Sequence, residues 1–158
     1  MSDTATAPER IALACGKPDG QDLYRRTIRK KLLVIDDEAG VCTVIRHVAT
    51  SLGLNSRAIR EPLDATKAFV DFAPDVVLLD MIMPGRDGVD LLHEMLPMGF
   101  PARFILMSGY GETYMRLAQG VAAFHGANRM AVLSKPFRRD ALVTLLRSTL
   151  CIDLESSA

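Results

Sequence analysis

A chain of 158 residues, 49% of them hydrophobic, carries enough apolar material for one packed domain and too much for a disordered one. Lys plus Arg (19) equals Asp plus Glu (19), so the basic excess of a general nucleic-acid binder is missing and no direct nucleic-acid contact is expected. Cys15, Cys42 and Cys151 fit neither a disulfide framework nor a zinc pattern, no apolar run approaches the ~18 residues of a membrane span, and no basic segment precedes an apolar one at the N-terminus. A reduced, soluble, cytoplasmic protein without a membrane span is the expectation.

Residues 1–30 lack sustained periodicity and carry Pro8, Gly16, Pro18 and Gly20. They read as an irregular extension closing on the basic cluster Arg25, Arg26, Arg29, Lys30 and Lys31. "KLLVID" predicts a buried strand, and Val41, Val44, Ile45, Val48 and Leu52 predict the apolar face of the helix after it. "SRAI" is a weaker second strand, and "LDATKAFVDF", entered through Pro62, is a helix. "DVVLLD" is the third strand, "GVDLLHEMLP" a helix stopped at Pro97, and "RFILMS" the fourth strand. "ETYMRLAQGVAAFHG" is a helix ended by Gly126, and "MAVLSK" is the fifth strand. "RRDALVTLLRSTL" is the last helix, with Leu142, Leu145, Leu146 and Leu150 inward. The domain is expected over residues 31–150, with 151–158 as a C-terminal tail. Five strands alternating with five helices predict an α/β, doubly wound, five-stranded parallel sheet with helices on both faces. Such sheets hold their ligands at the carboxyl ends of the strands.

Those ends are where the polar residues fall. Asp36, Asp37 and Glu38 close the first strand, Asp80 the third, Ser108 the fourth, and Lys135 with Pro136 the fifth. Carboxylates brought within a few ångströms repel one another unless a cation intervenes. Oxygen-only ligands select a hard ion, and Mg²⁺ is expected. Lys135 supplies a mobile positive charge, and Ser108 a hydroxyl for a phosphoryl oxygen. No His or Cys is placed as a base or nucleophile, which leaves Asp80 as a nucleophile able to form an acyl phosphate.

"LLVIDDE", "PDVVLLDMIMPGRDG", "ILMSG" and "LSKPF", in this order and spacing, resemble the receiver domain of bacterial two-component response regulators. The resemblance runs from residue 31 to about 150 and implies a CheY-like, flavodoxin-like receiver fold; with only "CIDLESSA" after the last helix, the stand-alone type is expected. It implies Asp80 as the phosphoacceptor, with Mg²⁺ held by Asp36, Asp37, Asp80 and the backbone carbonyl of Ile82. Ser108 becomes the switch hydroxyl, Lys135 the phosphoryl-binding lysine, and the Lys135–Pro136 bond is expected to be cis. A histidine kinase or histidine phosphotransfer protein would be the donor, and a downstream protein the target. Beyond its own phosphorylation and dephosphorylation, no enzymatic activity is expected.

The pattern departs from the family at Val132, where an aromatic residue usually lies three before the lysine. Without a ring to turn inward, the readout is expected to run through Ser108 and the helix from Glu112. Ile82 and Tyr110 flank the path of a hydrolytic water and are candidates for tuning the phosphoryl lifetime. Competing readings are a phosphate sink for a kinase and a pseudo-receiver binding module. An aspartyl-phosphate phosphatase needs a second acid where Ile82 stands. His93 lies on a short amphipathic helix unlike a kinase H-box, and His47 and His125 sit singly, with no second ligand at i+3 or i+4. Met81, Met83, Met95, Met107 and Met115 are expected as core filling, and Asp87 as a turn residue.

Overall fold

The computed structural model describes residues 29–109, 112–126 and 130–151. The extension up to residue 28, Tyr110, the side chain of Met115 and the tail from residue 152 lie outside the described residues. The strands are β1 (Lys31–Ile35), β2 (Asn55–Ile59), β3 (Val76–Asp80), β4 (Arg103–Ser108) and β5 (Met130–Ser134). The helices are α1 (Ala39–Ser51), α2 (Ala65–Phe72), α3 (Gly88–Met95), α4 (Glu112–Phe124) and α5 (Arg139–Leu150). Single 3₁₀ turns at Pro62–Asp64 and Leu96–Met98 lead into α2 and out of α3.

The strands form one parallel sheet in the order β2-β1-β3-β4-β5. Every residue of β3 is buried, and all but the first residue of β1 and of β4 are. Strands covered on both faces have no polar side to alternate with, which is why they read as continuous apolar runs. The edge strands β2 and β5 are only partly covered, and their sequences are correspondingly weaker.

Period-two alternation sorts the core into two layers. Leu33, Ile35, Val77, Leu79, Phe104 and Leu106 meet α2, α3 and α4. Leu32, Val34, Val76, Leu78, Ile105 and Met107 meet α1 and α5. Phe69 of α2 anchors the first layer through an edge contact to Phe100, their ring centroids 5.2 Å apart. Met81, Met83, Met95 and Met107 are buried within these layers. On α1 the buried residues are Cys42, Ile45, Val48 and Ala49, with Val41 and Leu52 packed at the margin. Val44, expected on that face, is instead 47% exposed. It lies about 100° round the helix from Ile45, beyond the arc that reaches the sheet.

The sequence order turns back at β1, which has β2 on one side and β3 on the other. This switch point opens a crevice at the carboxyl ends of β1 and β3, where Asp36 and Asp80 stand.

Candidate functional site

Asp36 follows β1 directly and is completely buried. Its amide donates to the Ile59 carbonyl at 3.1 Å, and its own carbonyl accepts from the Cys42 thiol at 3.2 Å. With the backbone fixed, its carboxylate points into the crevice. There Oδ1 accepts from the Glu38 amide at 2.9 Å, and Oδ2 lies 2.7 Å from Lys135 Nζ. A polar group this deeply buried is tolerated because both of its oxygens are engaged.

Asp80 is the last residue of β3 and only 4% exposed. Oδ1 accepts from the Ile82 amide at 3.2 Å, and Oδ2 from Lys135 Nζ at 3.1 Å. The turn after it is held by close packing. The Gly88 amide donates to the Met81 carbonyl at 3.0 Å, and a Cβ at Gly88 would come within 2.7 Å of the Asp80 carbonyl oxygen. Only glycine lets α3 begin against the end of β3. Asp87, expected as a turn residue, caps α3, its side chain accepting from the Asp90 amide at 3.0 Å.

Lys135 enters from the other side of the crevice, after β5. Its amide donates to the Ser108 carbonyl at 2.9 Å, tying the ends of β4 and β5 together. The Lys135–Pro136 bond is cis. Nζ is shared among Asp36, Asp80 and, at 3.3 Å, Glu38. Burial by itself would lower the ammonium's pKa, but the Asp36 carboxylate and then that of Asp80 outweigh it and raise it above the ordinary lysine range. Asp80 moves up as well: burial raises its pKa and nearby Asp36 adds to that, while the Ile82 amide and Lys135 oppose.

Asp36, Glu38 and Asp80 each place a carboxylate oxygen within 4.8 Å of the others, the one such cluster among the described residues. Three carboxylates face a single ammonium, and all the donors are oxygen. That set fits a hard divalent cation such as Mg²⁺. Asp37 is half-buried, and its carboxylate is not one of the three; its backbone carbonyl accepts from Arg60 Nε at 3.2 Å. Glu38, which the sequence shows only as the last of the acids closing the first strand, joins this cluster. Its spacing of two from Asp36 was the available signal, since a chain turning back over the strand end returns that residue to the crevice.

Ser108 closes β4, buried, opposite Ser134 in the register. With Gly109, Glu112, Arg116, Val132 and Lys135 it lines a cleft of about 550 Å³ beside the acidic cluster. Val132 is half exposed there. Ile82 is exposed next to Asp80, whereas Tyr110, its partner in the proposed tuning, lies outside the described residues.

Comparison with known proteins agrees with this geometry. Residues 32–147 match the response regulator receiver domain family. Sporulation initiation phosphotransferase F of Bacillus subtilis is 33% identical over 88 residues, which are 56% of this chain and 71% of that protein. Chemotaxis protein CheY of Listeria monocytogenes is 31% identical over 117 residues, covering 73% of this chain and 94% of CheY. Other relatives are longer, and the chain spans about a quarter of one and about half of others. Among solved structures, chemotaxis protein CheY4 of Vibrio cholerae superposes with a TM-score of 0.67 over 77% of this chain and 99% of its own, at 17% identity, which speaks to the fold alone. The chain belongs to the response regulator receiver domain family of two-component signalling and has its CheY-like fold.

Proposed function

We propose that this chain accepts a phosphoryl group on Asp80 from a histidine kinase or histidine phosphotransfer protein and signals by binding a target protein in its phosphorylated form. One observation carries the reading. The Asp80 carboxylate sits at the carboxyl end of a fully buried strand, between a buried acid and the Lys135 ammonium at 3.1 Å, beside an open cleft. An Asp80 oxygen attacks the donor's phosphorus, the P–N bond to the donor imidazole breaks, and the imidazole, already protonated on its other nitrogen, leaves neutral. Lys135 is placed to follow the charge from the Asp80 oxygen to the new phosphoryl oxygens. Ser108, at the cleft wall, offers a hydroxyl to the same group.

Asp36, Asp37, Asp80 and the Ile82 carbonyl are proposed to hold Mg²⁺, with Glu38 as a further carboxylate at hand. Bound there, the ion would neutralise charge on the phosphoryl oxygens during transfer. The receiver domain is assigned to residues 31–150, the part that contains every element of the site. Exposure to a small-molecule phosphodonor with and without Mg²⁺, read by intact mass, tests the proposal. A Mg²⁺-dependent gain of one phosphate in the wild type, absent in Asp80→Asn, is expected. Equal gain in the variant would move the phosphoacceptor elsewhere, and no gain in a folded, Mg²⁺-binding protein would restrict the donor to the cognate one.

A further inference from the structure

Two of the three imidazoles meet although the sequence keeps them apart. His93, in the last turn of α3, and His125, just after α4, are 32 residues apart in sequence, yet their rings stand edge to face with centroids 5.6 Å apart. His93 Nδ1 and His125 Nε2 approach to 3.5 Å. This corrects the expectation that His125 stands alone.

Three observations bear on what the pair can do. First, 3.5 Å is long for a hydrogen bond between ring nitrogens, at the limit where such bonds fade. Two imidazole nitrogens bound to one tetrahedral Zn²⁺ at about 2.0–2.1 Å stand about 3.3–3.4 Å apart, close to the separation seen. Second, both rings are carried on packed elements. Leu91, Leu92 and Met95 of α3 share one core layer with Ala118 and Val121 of α4, and Phe124 abuts the His125 ring at 5.1 Å. Third, both imidazoles lie at the C-terminal ends of helices, where aligned peptide dipoles favour positive charge.

We propose that His93 Nδ1 and His125 Nε2 form a two-imidazole site for a borderline divalent transition metal of the Zn²⁺, Ni²⁺ or Cu²⁺ class. Imidazole selects these ions over Mg²⁺, so the site is chemically distinct from the acidic cluster. Among the described residues no Cys, Asp or Glu joins the pair to make a cluster of three, so the two imidazoles leave coordination positions open to other ligands. Both histidines precede the starts of β4 and β5, at the opposite edge of the sheet from Asp80. A metal there ties the far end of α4 to α3, while the near end of α4 begins at the phosphorylation cleft.

The test is a Zn²⁺ titration of the full chain in excess Mg²⁺, followed by calorimetry and by the histidine ring resonances in NMR. A Zn²⁺ site is expected that perturbs two of the three histidines. His93→Gln and His125→Gln should each weaken it at least about tenfold, the lower end of what even an outer-shell partner contributes. His47→Gln, on the exposed side of α1, should leave it unchanged. Matching urea midpoints for the variants would show that folding is intact. Wild-type binding by either variant overturns the proposal. So does loss of the site in Asp80→Asn, which would assign the ion to the acidic cluster.

Discussion

Burial alone would favour loss of the Lys135 proton, and the Asp36 and Asp80 carboxylates reverse that preference. Lys135→Met leaves those two buried acids without their cation and should destabilise the Mg²⁺-free protein by about 2–4 kcal/mol in urea unfolding. Added Mg²⁺ should restore part of the loss. Because the folded-state pKa of Lys135 is raised, its contribution is fully present below the ordinary lysine value of 10.5 and is lost as pH rises beyond it. The gap between wild type and Lys135→Met should therefore hold from neutral pH to about 10 and shrink only above that. Asp80 carries the opposite sign. Its raised pKa, caused first by burial, means that the ionised carboxylate costs stability at neutral pH and that the cost disappears as pH falls through the folded pKa. Asp80→Asn should thus melt higher than wild type at pH 7 without Mg²⁺, and thermal scans should show the difference narrowing toward acid. Equal melting at both pH values would contradict it. The type and place of these two residues were legible in the sequence, since strand ends are easy to locate. That the Glu38 carboxylate also gathers with them was not, because it depends on how the chain turns after β1.

At the scale of elements, the two faces of α1 make a direct contrast. Ile45→Ala removes a completely buried side chain from the layer against α5 and should cost about 2–4 kcal/mol. Val44→Ala, on the exposed side, should stay within about 0.5 kcal/mol. Equal costs would mean that the helix is rotated from the orientation described. The i, i+3, i+4 pattern found the helix but placed Val44 inside, because valine satisfies the pattern equally well on the edge of the buried arc. Cys42 and Ala49 complete the true face. The junction of β3 and α3 is a second test. Gly88→Ala drives a methyl into the backbone of Asp80 and Met81 and should destabilise by about 1–3 kcal/mol. It should also slow phosphorylation of Asp80, a loss that substitution at an open glycine such as Gly40 would not produce. "GRDG" announced a turn, but the sequence carried no sign that its last glycine touches the phosphoacceptor's own backbone.

For the molecule as a whole, a cation that binds only the folded crevice must stabilise the entire domain. Mg²⁺ at one hundred times its dissociation constant should raise the unfolding free energy by about 2.7 kcal/mol, and Asp80→Asn should lose most of that gain. A melting temperature that ignores Mg²⁺ in both proteins would argue against the ion site. The sequence by itself determined the alternation of strands and helices, the parallel sheet, and the rim on which Asp36, Asp80, Ser108 and Lys135 gather. It could do so because strands buried on both faces must be written as apolar runs, and a parallel sheet sends all their carboxyl ends to one edge. Only the tertiary structure decided that Val44 faces outward, that Glu38 shares Lys135 with the two aspartates, and that His93 meets His125. These outcomes depend on the rotation and mutual placement of elements far apart in the chain. Packing fixes both, and no local pattern of residues records them.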